Sequence, residues 1–244
     1  MSFKVVIPAR YASERLPGKP LLEIQGKPML QHTWEQACSS AADQVIIATD
    51  DSRVAEVATK FGAECTMTSE THRSGTERVC EVAQKSRWES ETVVVNVQGD
   101  EPLIPPGAIN LVASNLQANA VAGITTLCEK IVREQEHANP NAVKVVFDRD
   151  GFAHYFSRAC IPFASGGKCS DRYRHIGVYA YRVETLSQFV GWPISALEAS
   201  ESLEQLRALE NGVKIHIDKW AEPMPAGVDT YEDLEVIRRL FSEI

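Results

Sequence analysis

Phe3-Lys4-Val5-Val6-Ile7-Pro8-Ala9-Arg10-Tyr11-Ala12-Ser13-Glu14-Arg15-Leu16-Pro17-Gly18-Lys19-Pro20 is the stretch from which the rest of the chain is read. Phe3–Ile7 has the length and apolar character of a buried strand, and Pro8 breaks it. Arg10, Arg15 and Lys19 follow closely, in a loop stiffened by two prolines and a glycine. Three cations at the C-terminal edge of a first parallel strand are placed to hold a polyphosphate. The plainer reading is a solvated surface loop with ordinary basic residues. Against it stand the strand directly before the loop, the loop's stiffness, and the acidity of the chain as a whole.

That acidity is a formal charge of -8, from 25 Lys+Arg against 33 Asp+Glu. It disfavours non-specific binding to nucleic acid or to an anionic membrane, and makes local cation clusters stand out as sites for a small anion. With 244 residues, 44% of them hydrophobic, the chain fits one large α/β domain spanning 1–244. It has no run approaching the ~18 apolar residues of a membrane span, and no signal-peptide core, so a cytoplasmic protein is expected. Cys38, Cys65, Cys80, Cys128, Cys160 and Cys169 contain no CxxC pair. They read as reduced packing residues, with neither zinc nor disulfide roles.

Strand patterns at Lys4–Ile7, Gln44–Ala48, Glu64–Met67, Thr92–Val97, Gly123–Leu127 and Val143–Phe147 alternate with helical ones through the first two thirds. The helical patterns are Leu30–Ser39, Arg53–Phe61, Thr76–Lys85 and Ala108–Gln117. Asp51 or Ser52 can cap the second helix, and Gly62 can end it. Short apolar strands separated by helices imply a mostly parallel sheet covered on both faces. Beyond Phe147 the pattern gives strands at Ala153–Phe156, His175–Tyr181 and Val213–Ile217, and helices at Leu203–Leu209 and Tyr231–Phe241. The Gly-rich Ser165–Ser170 loop reads equally as a lid or a connector.

A second informative stretch is Asn96-Val97-Gln98-Gly99-Asp100-Glu101-Pro102. A buried strand here delivers adjacent carboxylates to the edge where ligands of open α/β sheets bind. Gly99 permits close backbone approach and Pro102 ends the strand register. Asp100 can hold a divalent metal on nucleotide phosphates, or it and Glu101 can merely begin a turn. Ser74-Gly75-Thr76-Glu77-Arg78 opens a helix whose N–H groups can receive an anion, or it is an ordinary capped start with Arg78 in solvent. Asp229, alone, reads most simply as an N-cap. Neither Gly18-Lys19-Pro20 nor Gly26-Lys27-Pro28 forms a Walker A loop, and no G-x-G-x-x-G follows the first strand. A G-x-S-x-G elbow is absent too, and His72, His154 and His175 lack metal-ligand spacing.

Taken together and in order, eight segments of this chain resemble the cytidylyltransferases that activate 3-deoxy-manno-octulosonate (Kdo). They are Ile7–Pro20, Ser74–Arg78, Asn96–Pro102, Asn139–Val146, Tyr155–Arg158, His175–Tyr181, Leu203–Arg207 and Gly227–Thr230. The resemblance covers nearly the whole chain. It implies an α/β, Rossmann-like nucleotide-diphospho-sugar transferase fold: a mostly parallel mixed sheet with helices on both faces and a small dimerisation and sugar-binding insertion. It implies conversion of CTP and Kdo to CMP-Kdo and pyrophosphate, the step before transfer into lipopolysaccharide, by a homodimer with Mg²⁺ as cofactor. By the same resemblance Asp100 and Asp229 hold the metal.

Attack of the sugar's anomeric oxygen on the α-phosphorus asks chiefly for positioning and electrostatic stabilisation. Lys19, Arg15 and Asp100 are the expected catalytic residues. Arg10, Arg15 and Lys19 suit the triphosphate, and Ala9, Ser74, Gly75 and Arg78 suit the remainder of the nucleotide. Arg158 offers a fork for the sugar's carboxylate. Gln98, His175, Tyr179, Glu204 and Gln205 match sugar-facing positions, although Tyr179 and Tyr181 read equally as core aromatics. The chain is short between Pro162 and His175 compared with that family, so the 8-amino analogue of Kdo (Kdo8N), or another eight- or nine-carbon sugar acid such as sialic acid, stands beside Kdo as a substrate. A non-catalytic nucleotide-binding protein on this fold is the reading from another class, and the intact Lys19, Asp100 and Asp229 argue against it.

Overall fold

The valine-rich runs Val5-Val6-Ile7 and Val93-Val94-Val95 are buried almost completely, as strands covered on both faces must be. They lie at the centre of a computed structural model that describes residues 2–12, 16–165, 171–225 and 227–243. The first half comprises β1 (Lys4–Pro8), the small ribbon β2 (Glu23–Ile24) and β3 (Lys27–Pro28), α1 (Met29–Cys38), β4 (Gln44–Thr49), α2 (Ser52–Lys60), β5 (Glu64–Met67), α3 (Gly75–Lys85), β6 (Val93–Asn96) and α4 (Pro106–Ala118). The second half comprises β7 (Ile124–Lys130), α5 (Glu134–Ala138), β8 (Lys144–Phe147), β9 (Ala153–Ser157), β10 (Tyr173–Arg182), α6 (Val183–Gly191), α7 (Ala196–Glu201), α8 (Gln205–Glu210), β11 (Ile215–Lys219) and α9 (Tyr231–Glu243).

The main sheet runs β11-β7-β10-β6-β1-β4-β5 among the described residues, with β8 and β9 continuing beside β10. β1 pairs parallel with both β4 and β6, β4 with β5, and β11 with β7. β10 runs antiparallel between β6 and β7. The expected mostly parallel mixed sheet is therefore present. One core cluster joins α1, α2 and α4 to the sheet, and a second joins α3, α6 and α8 to it, so helices cover both faces.

Local chemistry sets the boundaries. Asp51 accepts from Arg53 N at 2.9 Å and caps α2, and Gly62, at φ +90°, carries the chain away from it. Ser74 accepts from Glu77 N and caps α3. At α9 the expected cap is corrected. Thr230 Oγ1 accepts from Asp233 N at 3.2 Å, and the Asp233 carboxylate accepts from Asp229 N and Thr230 N. That reciprocal pair caps the helix, and the Asp229 carboxylate accepts from Lys19 instead.

Sequence patterning passes over α5, α6 and α7. α6 begins at the residue after β10 ends, with no glycine or proline to mark the change. The packing role expected of the cysteines also needs correcting: Cys80 and Cys128 are buried, but Cys38 and Cys160 are exposed. No helix among the described residues is long and apolar enough to cross a membrane.

Candidate active site

β1 and β6 release the chain side by side, since Val6 pairs with Asn96. Their loops approach closely because Gly99 carries no side chain: a Cβ there would lie 3.0 Å from the Pro8 carbonyl oxygen. Gly75, the first residue of α3, presses on the same proline, and a Cβ would stand 3.0 Å from Pro8 Cγ. Gln98 Oε1 is the next neighbour there, at 3.6 Å. Three segments singled out in the sequence thus converge on Pro8.

Beside this junction opens a cleft of about 1250 Å³, lined by Asp100, Arg158, His175 and Asp229 among others. That volume exceeds the ~300–1,000 Å³ typical of a single small-ligand pocket. The Lys19 ammonium joins its acidic side. It bonds the Asp100 carboxylate, reaches Asp229 Oδ1 at 3.2 Å and donates to Val228 O at 2.9 Å. Burial works to lower the Lys19 pKa, but the two carboxylates outweigh it and raise it. The 227–229 segment is itself held to the strand end, with Val228 N donating to Asp100 O at 2.9 Å.

Asp100 and Asp229 are therefore already gathered around one cation. They are hard oxygen donors, of the kind that bind magnesium through one or two carboxylates, with phosphate and water completing the shell. No cluster of three or more His, Cys, Asp or Glu suited to a metal occurs among the described residues. Glu101, next along the chain, also lines the cleft. Burial pushes its carboxyl up to about 8, Asp100 adds to this and Arg174 opposes it. Near neutral pH Glu101 is held mostly as a neutral acid.

On the other side Arg158 is fixed by backbone carbonyls. Its Nε donates to Glu201 O at 2.7 Å, Nη1 to Pro140 O at 3.1 Å and Nη2 to Ser202 O at 3.3 Å. A guanidinium has five N–H groups, so one remains on each terminal nitrogen to meet an acid. His175 is nearby on β10, its ring 5.1 Å from Phe156 and 5.2 Å from Tyr179. Burial pushes its imidazole down to about 3, and Arg174 works in the same direction. Thr126 Oγ1 lies 3.0 Å from His175 Nε2 and donates to backbone carbonyls. The neutral ring is then Nε2-protonated, which leaves Nδ1 as an acceptor.

Other expected site residues are placed differently. Arg10 is exposed and donates to His72 O at 2.9 Å and Arg73 O at 3.2 Å, stitching its loop to the one before α3. Ala9 is buried, with its N–H given to Ala48 O. Arg78, read as nucleotide-binding or solvated, is fully buried. Its guanidinium bonds Asp50, Thr68 Oγ1 and Ser69 O, so it acts as an internal brace. Its spacing from Val82, a helical turn away on the same face, is the signal that could have shown this.

Glu204 and Gln205 lie outside the lining of the main cleft. Glu204 accepts from Ser74 Oγ at 2.8 Å and Thr76 Oγ1 at 2.9 Å, and Gln205 is buried. Tyr181 is a core aromatic and Tyr179 packs against its cluster. Arg15 and the Gly166–Ser170 part of the glycine-rich loop lie outside the described residues. Sequence reasoning missed Arg133 and Arg174, which line the cleft. Arg174 is ion-paired with Glu129 and Glu136, and no motif marks that pairing.

Comparison with known proteins gives the family. The family model described as "Cytidylyltransferase" matches residues 4–215. A "3-deoxy-manno-octulosonate cytidylyltransferase 2" of Actinobacillus pleuropneumoniae serotype 5b (strain L20) is 53% identical over 99% of both chains. A 3-deoxy-manno-octulosonate cytidylyltransferase of Marinobacter nauticus is 54% identical over 100% of this chain and 98% of its own. Among solved structures, a CMP:2-keto-3-deoxy-manno-octonic acid synthetase complexed with CTP superposes with a TM-score of 0.93. It is 41% identical, covering 99% of this chain and 98% of its own. With the strand-end cleft, its paired aspartates and full-length identity above one half, the chain belongs to the 3-deoxy-manno-octulosonate cytidylyltransferase family of nucleotidyltransferases.

Proposed function

We propose that this chain is a Mg²⁺-dependent enzyme that converts CTP and Kdo to CMP-Kdo and pyrophosphate, supplying the activated sugar for lipopolysaccharide. The observation that carries this reading is that one cleft contains Asp100 and Asp229 with Lys19 on one side and Arg158 with His175 on another. The nucleotide side draws on Ala9, Arg10, Lys19, Ser74 and Gly75, and Arg78 fixes the Asp50–Ser69 wall behind it. The sugar side draws on Gln98, Arg158, His175 and Tyr179, with Glu204 and Gln205 supporting it from α8. Exposed Val132 and Phe163, 82% and 88% accessible, are surfaces that a homodimer would cover.

The chain's own residues then divide the work. Arg158 holds the sugar's carboxylate through its two remaining N–H groups, and His175 Nδ1 accepts from a hydroxyl. This places the anomeric oxygen toward the α-phosphorus. As pyrophosphate leaves in line, negative charge grows on its bridging oxygen, and the Lys19 ammonium is the cation that meets it. Asp100 and Asp229 would hold Mg²⁺, which when bound neutralises and orients phosphate oxygens.

Pyrophosphate release from CTP, with Kdo or Kdo8N and with or without Mg²⁺, tests the reading. Turnover of Kdo that EDTA abolishes, and that Asp229→Asn abolishes in a folded protein, is expected. A wild type that binds CTP but releases no pyrophosphate with Kdo refutes it. The short stretch before His175 makes Kdo8N the second arm of the assay.

A further inference from the structure

Lys144 is among the largest fully buried side chains of the protein, with 0% of its surface exposed. It begins β8, where it pairs with Arg174 of β10 on one side and Ser157 of β9 on the other. A buried ammonium is costly unless it is bonded, yet no carboxylate forms an ion pair with Lys144 among the described residues. Its Nζ donates instead to two backbone carbonyls, Asn139 O at 2.9 Å and Arg158 O at 2.6 Å.

Those two carbonyls belong to two walls of the cleft, since Asn139 and Arg158 both line it. The walls also meet in front of Lys144, where Arg158 Nη1 donates to Pro140 O at 3.1 Å. A closed ring results: Lys144 to Asn139, along the peptide to Pro140, across to the Arg158 guanidinium, and from the Arg158 carbonyl back to Lys144. The guanidinium is thereby gripped at its tip and its backbone at once. Lys144 itself does not line the cleft, so it acts on Arg158 from outside it.

We propose that Lys144 is a positioning residue for recognition of the sugar acid, holding the Arg158 fork against the Asn139–Val143 wall through its ammonium. This rests on the reading that the Arg158 side of the cleft receives an acidic sugar. An ammonium suits the task because three rotatable donors on a flexible stem can serve two carbonyls at once. Methionine would fill the space and serve neither. Glutamine could serve one without the charge.

The test is steady-state kinetics of Lys144→Met and Lys144→Gln, with KM measured separately for Kdo and for CTP. In both variants we expect the KM for Kdo to rise at least tenfold while the KM for CTP stays within twofold. A cycle with Arg158→Met adds a readout that a purely structural lysine would not give. Because Lys144 acts through Arg158, K144M should change the Kdo KM less than twofold when Arg158 is already gone. A Kdo KM within twofold of wild type, a parallel rise in both KM values, or full multiplicative effects in the cycle would each overturn the proposal. Should K144M not be recovered folded, K144Q decides by the same criteria. Wild type failing to use Kdo would count against the proposed function instead, and the two failures are thereby told apart.

Discussion

Replacing Lys19 with methionine should make the protein's stability depend on divalent metal in the absence of any nucleotide. In the structure the Lys19 side chain is 15% exposed, Asp100 26% and Asp229 49%. A half-exposed pair contributes about 0–1 kcal/mol, and breaking a buried one costs about 3–5 kcal/mol. The Asp229 contact belongs near the first figure and the Asp100 contact between the two, which sets the loss for Lys19→Met at ~2 kcal/mol. For a chain of this size that is a fall in Tm of about 4–8 °C. The two carboxylates then lose the ammonium they share, and magnesium can take the place it held. At about 100 times its Kd, a ligand specific to the folded state returns ≈ 2.7 kcal/mol, enough to cancel the loss. Wild type, with its own ammonium competing for the same oxygens, should respond much less. Thermal unfolding of both proteins in EDTA and over a magnesium series, without CTP, measures this. If Lys19→Met melts within a degree of wild type in EDTA, or if magnesium stabilises both equally, the charge balance described for this site is wrong.

The remaining expectations concern His175 and Gly99. His175, pushed down to about 3 by burial, stays neutral in the folded protein but protonates near 6.5 when unfolded. The folded state therefore binds fewer protons, and stability present above pH 6.5 is lost as pH falls toward 3. NMR should find this imidazole silent between pH 5 and 8, and His175→Asn should flatten the acid limb of the unfolding curve. A His175 resonance titrating near 6.5 would contradict the assignment. Gly99→Ala would place a Cβ 3.0 Å from a backbone carbonyl that cannot swing aside. Urea unfolding should register about 1–3 kcal/mol of overpacking, and an unchanged midpoint would show that the loops have slack.

The strand-and-loop frame was readable because it obeys short-range rules. Glu64–Met67 agrees with β5 to the residue, and α1 to α4 begin within two residues of their expected starts. Asp100 and Gly99 were readable as a strand end with a close approach, and Pro8 confirms the approach. Long-range chemistry was not readable. Arg10 in the loop after β1 and Arg78 in the first turn of α3 are the same residue type in two suspect segments, yet one is exposed and the other fully buried on Asp50. Glu204 reads as a sugar contact from its motif, whereas the structure shows its carboxylate on Ser74 and Thr76. Asp229, which alone reads as a cap and by resemblance as a metal ligand, is relieved of the cap by Thr230 and Asp233. For Arg10, Arg78 and Glu204 the deciding partner comes from another element, which neither periodicity nor spacing reports.

Glu204 also bears on how the molecule is assembled. Ser74 and Thr76 find their acceptor 130 and 128 residues downstream, and Lys19 meets Asp229 210 residues away. During synthesis the amino-terminal half emerges first and can form β1, β4, β5 and β6 with their helices. Its motifs are complete in sequence at that stage, but Ser74 and Thr76 lack their Glu204 acceptor and Lys19 lacks one of its two aspartates. Competence therefore arrives late, with the last third of the chain, so a nascent or truncated product bears every nucleotide signature while its catalytic pocket is still unfinished.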